Sequence, residues 1–418
     1  MEESKTAGEE EREQEIWSWG AGTEGQLGSG RLQDEDTPQL LHSLSSFGPI
    51  SSLSCGGAHV IALTPDGTVL TWGRGTSGQL GHGEMINSLQ PKLVKALEGL
   101  VITHVSAGWS HSGFVSDTGL LFTCGDGSFG QLGHGHYKSQ CTPMEVSYFS
   151  SKHVEQVACG MRHSLVLLRD PLRDQVYGFG SGKRGQLGIS TDKVKSASLP
   201  QITLGFTDVK IVSINANGDH SAALSAGGHL YTWGRGFHGA SDSYIPHCIP
   251  ADLSFNQVAL GWNHALVLTS EHKVFMLGGY HHGALGDPQK TALLKHTSEE
   301  LKGGILKRIP NLDETEVIHI AAGAEHSALV TGKSSFLVGP LKIYWKGSLM
   351  AWGWGEHGQL GLGDTVDQTD PQVVSLDHNL AEECAIARVY CGSGFSFVLR
   401  TCDGHFSNRI SNIKELRS

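Results

Sequence analysis

The chain has 418 residues, of which 56 are glycine and 17% are charged, against ~7% glycine and ~25% charge in ordinary soluble proteins. This composition excludes a coiled coil and a disordered chain, and the absence of any run of ~20 apolar residues excludes a membrane-spanning helix. The formal net charge of -11 is a poor match for a phosphate backbone, so we expect neither nucleic-acid nor membrane binding.

The first fifteen residues contain seven glutamates, with neither the apolar core of a secretory signal nor the arginine-rich composition of a mitochondrial transit peptide. We predict an acidic, disordered tail over residues 1–15. The eight cysteines form no Cys-x-x-Cys pair, and the chain contains no Asn-x-Ser/Thr sequon. Both features suit a reducing compartment, so a cytoplasmic or nuclear location is expected.

One unit recurs seven times between residues 16 and 402. Its first half is an aromatic residue and a glycine, then four residues, then Gly-Gln-Leu-Gly, as in the segment from Trp72 to Gly81. The glycine of the opening pair falls at positions 20, 73, 125, 180, 234, 278 and 353, a period of a little over 50 residues. Short strands at a fixed long period indicate radial repetition of small sheets.

The second half of the unit is Gly-x-x-His followed by alternating small and apolar residues. In four units the next aromatic-Gly glycine follows this histidine by 14 residues, a constancy that predicts a tight β-hairpin. Phe395 replaces the histidine in the seventh unit. The six signature histidines are His59, His111, His163, His220, His264 and His326.

These histidines recur once per unit, at intervals above 40 residues. A ring of units holds such positions apart, and repetition at one structural position is typical of a hydrogen-bonding framework residue rather than a metal ligand. We therefore predict a structural role for them and expect neither a metal nor a cofactor.

The chain begins and ends inside a unit. The segment Ile16–Gly20 has no Gly-x-x-His strand before it, and the last such strand, Cys391–Leu399, has no aromatic-Gly strand after it. These halves are complementary, and their pairing removes an exposed strand edge. The sequence thus predicts an all-β fold, a seven-bladed β-propeller over residues 16–402 closed by N- and C-terminal strands that share a blade, with a C-terminal tail over residues 403–418.

Two adjacent units depart from the period. From Gly234 to His264 there are 30 residues, against 38 to 40 in the first four units, and residues 238–241 read His-Gly-Ala-Ser in place of Gly-Gln-Leu-Gly. That blade is predicted to be trimmed. From Gly278 to His326 there are 48 residues, and the added material over residues 291–308 is predicted to include a short helix.

A third departure lies between Thr331 and Gly347. His326 precedes Gly353 by 27 residues where 14 is the rule, an excess of 13, although both flanks fit the hairpin pattern. The excess is apolar for a loop tip and contains Trp345. It is either a docking element or sequence introduced by altered splicing of the transcript.

The repeated Trp-Gly-x-x-x-x-Gly-Gln-Leu-Gly and Gly-x-x-His-Ser-x-x-Leu motifs resemble the regulator of chromosome condensation (RCC1) repeat, and the likeness covers nearly the whole chain. The resemblance implies a seven-bladed propeller closed by shared terminal strands. The family includes a chromatin-bound exchange factor for the Ran GTPase and a plant ultraviolet-B photoreceptor, and this chain is similar to plant members related to that receptor.

The resemblance suggests guanine-nucleotide exchange on a small GTPase as one function. In the Ran exchange factor an important aspartate directly precedes a signature histidine, and Asp219 before His220 is similar. That aspartate lies in the third such repeat of the factor, whereas Asp219 lies in the fourth here. The acidic N-terminal tail also has no counterpart to the basic tail used for chromatin, which disfavours chromatin binding.

Light sensing is a second implication of the resemblance. The receptor's hallmark is Gly-Trp-Arg-His-Thr in three consecutive blades. Only Trp109 and Trp262 occupy that tryptophan position here, in non-adjacent blades and without the arginine. This pattern disfavours ultraviolet-B photoreception by that mechanism.

The favoured interpretation is a non-catalytic scaffold that binds partner proteins through loops on one face, with exchange activity as the alternative. No enzyme motif is present in the sequence. Trp109, Trp262 and Trp345 are the candidate interaction residues, and Asp219 is the candidate for exchange. An acidic face joining Asp219 to the 287–316 connection would favour exchange, whereas an aromatic groove with Trp109 or Trp345 would favour peptide docking.

Overall fold

The structure, a computed structural model, describes residues 13–169, 174–190, 192–237, 241–278, 306–312, 315–332, 334–338, 341–345, 347–376 and 384–402. This part of the chain contains no α-helix, and so no helix long and apolar enough to cross a membrane. Short 3-10 helices occur at His42–Phe47, Lys95–Leu97 and Ser147–Phe149.

The strands, in chain order, are β1 (Glu13–Gly20), β2 (Glu35–Leu40), β3 (Ser52–Cys55), β4 (His59–Leu63), β5 (Val69–Gly73), β6 (Ser88–Leu93), β7 (Ile102–Ala107), β8 (His111–Ser116), β9 (Leu121–Gly125), β10 (Gln140–Glu145), β11 (His153–Cys159), β12 (His163–Arg169), β13 (Gln175–Ser181), β14 (Ser196–Ile202), β15 (Ile211–Asn217), β16 (His220–Ser225), β17 (Leu230–Gly234), β18 (Ser243–Cys248), β19 (Phe255–Leu260), β20 (His264–Thr269), β21 (Val274–Gly278), β22 (Lys307–Arg308), β23 (Val317–Ala322), β24 (His326–Thr331), β25 (Ser334–Val338), β26 (Leu341–Trp345), β27 (Leu349–Gly353), β28 (Gln368–Val374), β29 (Cys384–Cys391) and β30 (Phe395–Cys402).

These strands build seven four-stranded antiparallel sheets, which confirms the seven-bladed propeller. Blades 1 to 5 take consecutive strands, from β3–β6 in blade 1 to β19–β22 in blade 5. Blade 6 contains β23, β24, β27 and β28, and blade 7 contains β29, β30, β1 and β2. Each signature histidine begins the second strand of its blade and pairs with the aromatic-Gly glycine at or beside the end of the third, as His59 does with Gly73.

The closure of the ring agrees with the prediction. Strand β1 pairs antiparallel with β30 along its whole length, from Glu13 opposite Cys402 to Gly20 opposite Phe395. It begins three residues before Ile16, and Glu15 in this extension accepts a hydrogen bond from Nε of Arg400 at 2.7 Å. The terminal strands are therefore joined by a side-chain ion pair as well as by backbone bonds. The predicted tails, residues 1–12 and 403–418, lie outside the described residues.

The hydrophobic core lies between neighbouring blades. Ile61 of blade 1 packs with Phe114 and Cys124 of blade 2 in one such cluster, and all three are completely buried. Because both faces of each blade contact a neighbour, the second strands are buried along their length, as in β4, β16 and β24. This double burial explains why small residues alternate with larger apolar ones after each signature histidine.

The outermost strands of six blades share a proline and an irregular register. Proline cannot donate to a further strand, and a bulge bends the edge away, so both features block edge-to-edge association. The prolines are Pro38, Pro91, Pro143, Pro200, Pro246 and Pro371.

The three irregular regions differ in how far the structure describes them. Residues 238–240 of the trimmed unit and residues 279–305, which include most of the predicted short helix, lie outside the described residues. The 13-residue excess contains a separate two-stranded antiparallel sheet, β25 with β26. Around it β24 and β27 pair normally, with His326 opposite Gly353.

Candidate functional site

The signature histidines are completely or almost completely buried. In five of them Nε2 is within hydrogen-bond distance of a serine Oγ on the next blade. The glycine of Gly-x-x-His makes room for the ring, since a Cβ on Gly108 would lie 2.7 Å from Cε1 of His111. The five pairs are His59–Ser112 (2.9 Å), His111–Ser164 (2.8 Å), His163–Ser221 (3.0 Å), His264–Ser327 (3.0 Å) and His326–Ser396 (3.0 Å).

Four of these serines pass the hydrogen bond on to the glutamine of Gly-Gln-Leu-Gly. Their Oγ donates to the glutamine backbone carbonyl, in the pairs Ser112–Gln79 (2.7 Å), Ser164–Gln131 (2.8 Å), Ser221–Gln186 (2.7 Å) and Ser396–Gln359 (3.1 Å). A hydroxyl has one hydrogen, so the histidine Nε2–H must donate to the serine. At these four interfaces the network fixes the neutral Nε2–H tautomer of the histidine and connects its blade to the next.

Burial strongly disfavours the charged form of these imidazoles. It lowers the pKa of His59, His163 and His326 to about 3 and that of His111 and His264 to about 4. The histidines are thus neutral hydrogen-bond donors between blades at physiological pH. Among the described residues, no group of three histidine, cysteine, aspartate or glutamate side chains is placed to hold a metal ion.

At the interface between blades 7 and 1, both the histidine and the serine of the pair are replaced. Phe395 stands in place of histidine and Val60 in place of serine, and both are completely buried in one cluster. The carbonyl of Gln26 is still satisfied, because Nε1 of Trp72 donates to it at 2.9 Å. Because the donor is lost together with its acceptor, neither member of the pair leaves the other without a partner.

The interface between blades 4 and 5 is altered in a related way. Ala265 replaces the serine and Leu277 replaces the aromatic residue, so blade 5 presents neither a hydroxyl nor an indole to a glutamine carbonyl. Phe237 stacks on the His220 ring, with centroids 4.3 Å apart and planes 5° apart. Without a serine, Nε2 of His220 donates to the carbonyl of Trp262 at 2.7 Å.

The Gly-x-x-His turns meet around the mouth of the central channel, on what we call the signature face of the ring. Backbone hydrogen bonds link one turn to the next, as from Trp109 N to Gly160 O (3.1 Å) and from Met161 N to Gly218 O (3.0 Å). Below the mouth lies a cavity of about 300 Å³. The residues at the mouth are Gly57, Trp109, Met161, Trp262, Ala324 and Ser393.

The two tryptophans predicted as interaction candidates meet at this mouth. The ring centroids of Trp109 and Trp262 lie 5.0 Å apart at an interplanar angle of 45°, and both side chains are half-buried. They come from blades 2 and 5, which are not adjacent, and the closed ring brings them together. Arg74 lies beside them, 6.0 Å from the Trp109 ring, and donates to Oγ of Ser110 at 3.0 Å.

The other candidates are dispersed. Asp219 lies on the signature face, half-buried, and its Oδ1 accepts a hydrogen bond from Nε2 of Gln186 at 2.9 Å. Most of the 287–316 connection lies outside the described residues. Trp345 belongs to β26, which follows the end of β24 farthest from His326, so that hairpin leaves the ring on the face opposite Trp109.

Residues 15–398 match the family model described as the RCC1-like domain. The chain belongs to the RCC1-like domain family. It is 29% identical over 397 residues to the ultraviolet-B receptor UVR8 of Arabidopsis thaliana, covering 92% of this chain and 83% of the receptor. It is 30% identical over 405 residues to the secretion-regulating guanine nucleotide exchange factor of Bos taurus, covering 92% and 82%.

Solved structures show the same fold. The crystal structure of human WBSCR16 has a TM-score of 0.73 and 24% identity, covering 93% of this chain and 99% of that one. Yeast RCC1 (Prp20), in a structure bound to Kap60, has a TM-score of 0.75 and 21% identity, covering 100% and 98%.

This RCC1-like protein carries a feature that the sequence analysis missed. Exposed cations cluster on the signature face of blades 3 and 4, although the chain is acidic overall. We call this cluster the basic sector. For two of its residues the sequence carried a signal, since Arg162 directly precedes a signature histidine and Arg235 directly follows an aromatic-Gly pair. The basic sector comprises Arg162, Lys183, Arg184, Lys193, Lys195 and Arg235.

Proposed function

We propose that this RCC1-like protein is a non-catalytic scaffold that binds partner proteins through its signature face. The observation that carries the proposal is the half-exposed Trp109–Trp262 pair at the centre of that face. Tryptophan and arginine are enriched among the residues that dominate binding energy at protein interfaces, and Arg74 lies beside this pair.

The framework supports this use of the face. The turns that carry Trp109 and Trp262 are held by backbone bonds to their neighbours, Trp109 N to Gly160 O and Trp262 N to Ala324 O (2.9 Å). A surface fixed before binding loses little conformational freedom when a partner docks. The prolines on the outer strands disfavour the other common mode, in which a peptide adds a strand to a sheet edge.

Guanine-nucleotide exchange on a small GTPase is the second candidate. It is favoured by the 30% identity to the bovine secretion-regulating exchange factor and by the likeness to yeast Prp20p, a structure described with its binding to Gsp1p and histones. Asp219 is the carboxylate of the signature face that we assign to this activity. Its bond to Gln186 leaves it half-exposed for a partner.

Affinity capture from native extract tests the proposal, with one arm in EDTA and one in excess Mg²⁺ and GTP. The variant Trp109→Ala/Trp262→Ala is compared with Val373→Ala, which removes an exposed apolar side chain from β28. We expect the same non-GTPase proteins in both arms, lost with the tryptophan variant and kept with the control. Retention by the tryptophan variant would contradict docking on this face.

A small GTPase enriched only in EDTA would instead establish exchange, because such factors stabilise the nucleotide-free state. Asp219→Asn would then be expected to reduce nucleotide release without changing the melting temperature, measured with a fluorescent GDP analogue on the captured GTPase.

A further inference from the structure

The basic sector contains more positive charge than it can neutralise. Among the described residues, only Arg184 of its six cations forms an ion pair, with Asp242 at 3.2 Å. Three further carboxylates lie nearby, the exposed Asp192, the half-buried Asp219 and the half-buried Asp126 in the blade 2 loop that carries Phe129. The sector therefore carries net positive charge on a protein whose formal charge is -11.

Backbone hydrogen bonds bring together the residues that carry these cations. Gly182 N donates to Lys195 O at 3.0 Å, which closes the loop that carries Lys183, Arg184 and Lys193. Ser181 N donates to Arg162 O at 2.7 Å, so that loop begins beside Arg162. The cations thus form a continuous group over blade 3.

The same contacts extend the group to blade 4. Met161 N donates to Gly218 O at 3.0 Å, and Arg235 N donates to Asp219 O at 2.9 Å. Arg235 therefore stands across Asp219 from the blade 3 turn.

The sector borders the apolar mouth of the channel. Met161 directly precedes Arg162 and lines the same cavity as Trp109 and Trp262. Arg162 also contacts blade 2, where its guanidinium lies 4.9 Å from the centroid of the Phe129 ring. A peptide bound to the basic sector can therefore place an adjacent apolar side chain against this apolar surface.

The opposite half of the signature face is acidic. It carries Glu24, Asp34, Glu325, Glu356, Asp364 and Asp367 on blades 6 and 7. This half repels a long polyanion laid across the ring, as does the negative charge of the whole protein. The favourable field is confined to two blades, which suits a short acidic stretch of protein and disfavours a nucleic acid.

We propose that the basic sector binds an acidic linear segment of a partner protein, rich in glutamate or aspartate, with an adjacent apolar side chain packed on Met161 and the Trp109–Trp262 pair. The proposal rests on the proposed function, since it names the partner chemistry for the same face. Arg162, Lys183, Lys195 and Arg235 engage the carboxylates. The outer strand edges take no part.

Fluorescence anisotropy tests this with a labelled peptide of repeating sequence Glu-Glu-Leu-Glu-Glu-Phe and its neutral analogue Gln-Gln-Leu-Gln-Gln-Phe. We expect binding of the acidic peptide to be about tenfold tighter and to weaken as salt is raised. Arg162→Glu/Lys183→Glu should weaken it at least about tenfold. The control Lys95→Glu/Lys210→Glu makes the same change in net charge at exposed positions on the opposite face and should leave affinity unchanged.

Equal affinity for the acidic and neutral peptides would overturn the proposal, as would equal effects of the two charge-reversal variants. A single-stranded oligothymidylate that binds more tightly than the acidic peptide, through the same arginine and lysine, would replace it with a nucleic-acid site. Thermal melts of each variant separate loss of binding from loss of fold. If the acidic peptide fails while Trp109→Ala/Trp262→Ala still abolishes partner capture, the proposed function stands and only this inference is lost.

Discussion

At the scale of single residues, the signature histidine is half of a pair whose other half lies on the next blade. Where Phe395 replaces histidine, Val60 replaces serine, and where Ala265 replaces serine, His220 turns to a backbone carbonyl. A buried donor without an acceptor costs about 1–3 kcal/mol, so loss of the serine is accompanied either by loss of the histidine or by a substitute acceptor. The repeat pattern alone predicted a structural histidine, but the partner serine lies on another blade and was not predicted.

The chain's own Phe395–Val60 pair suggests a matched experiment. Ser221→Val removes the acceptor of His163 and should lower the free energy of unfolding by about 1–3 kcal/mol, measured by urea titration. Adding His163→Phe recreates the apolar pair, and the carbonyl of Gln186 keeps its bond from Nε1 of Trp233 at 2.9 Å.

We expect the double variant to be more stable than Ser221→Val by at least about 1 kcal/mol. Simple additivity of the two single changes would show that the His163–Ser221 bond contributes nothing specific.

At the scale of the element, the hairpin between the second and third strands of a blade is closed by a hydroxyl. In four blades the residue before a three-residue turn accepts a bond from the residue after it, in the pairs Thr64–Thr68 (2.9 Å), Ser116–Leu120 (3.1 Å), Ser225–His229 (3.1 Å) and Thr269–Lys273 (3.1 Å). Blade 6 keeps this bond, from Ser348 N to Oγ1 of Thr331 at 2.7 Å, across the inserted residues. The insertion therefore adds a hairpin without changing its anchor.

Removing the insertion should leave the blade intact. Deletion of residues 333–345 joins Gly332 to Lys346 and Gly347, a three-residue turn whose last glycine matches Gly67, Gly119 and Gly228 at positive φ in other blades. We expect the melting temperature to change by no more than about 2 °C, because the pairing of β24 with β27 and the bond from Ser348 N to Thr331 Oγ1 lie outside the deleted residues.

Deletion of residues 332–347 is the matched control. It leaves no turn between Thr331 and Ser348, so it must break the hairpin bonds and should lower the melting temperature by at least about 4 °C. If the shorter deletion is equally destabilising, the inserted hairpin is part of the blade 6 core.

At the scale of the whole molecule, the buried histidines have the same effect on stability in several blades, because burial lowers the pKa of each. Five signature histidines have pKa values lowered to about 3 or 4, and the pKa of His220 is also lowered by burial. Unfolded histidines titrate near 6.5, so below that pH the unfolded chain binds protons that the folded chain excludes. These histidines therefore leave the free energy of unfolding unchanged above pH 7 and lower it as pH drops from 6.5 toward 4.

This linkage predicts an acid-labile ring. By pH 5 each of the five signature histidines with a pKa of about 3 or 4 should cost about 2 kcal/mol of unfolding free energy, so the urea midpoint should fall steeply between pH 7 and pH 5. The His163→Phe/Ser221→Val variant lacks one such group and should show a shallower decline. A midpoint that is constant over this range would mean that the histidines are charged or accessible in the folded ring.

The sequence by itself determined the number of blades, the hairpin in each and the closure by the terminal strands, because alternation, turn length and complementary half-units are local properties of the chain. It also singled out Trp109 and Trp262, but as separate residues on distant blades. Only the tertiary structure showed that they touch and that six cations form one sector. It also showed that, where a blade interface departs from the repeat, residues of both blades differ. These relations join residues from different repeats, and their distances are set only when the ring closes.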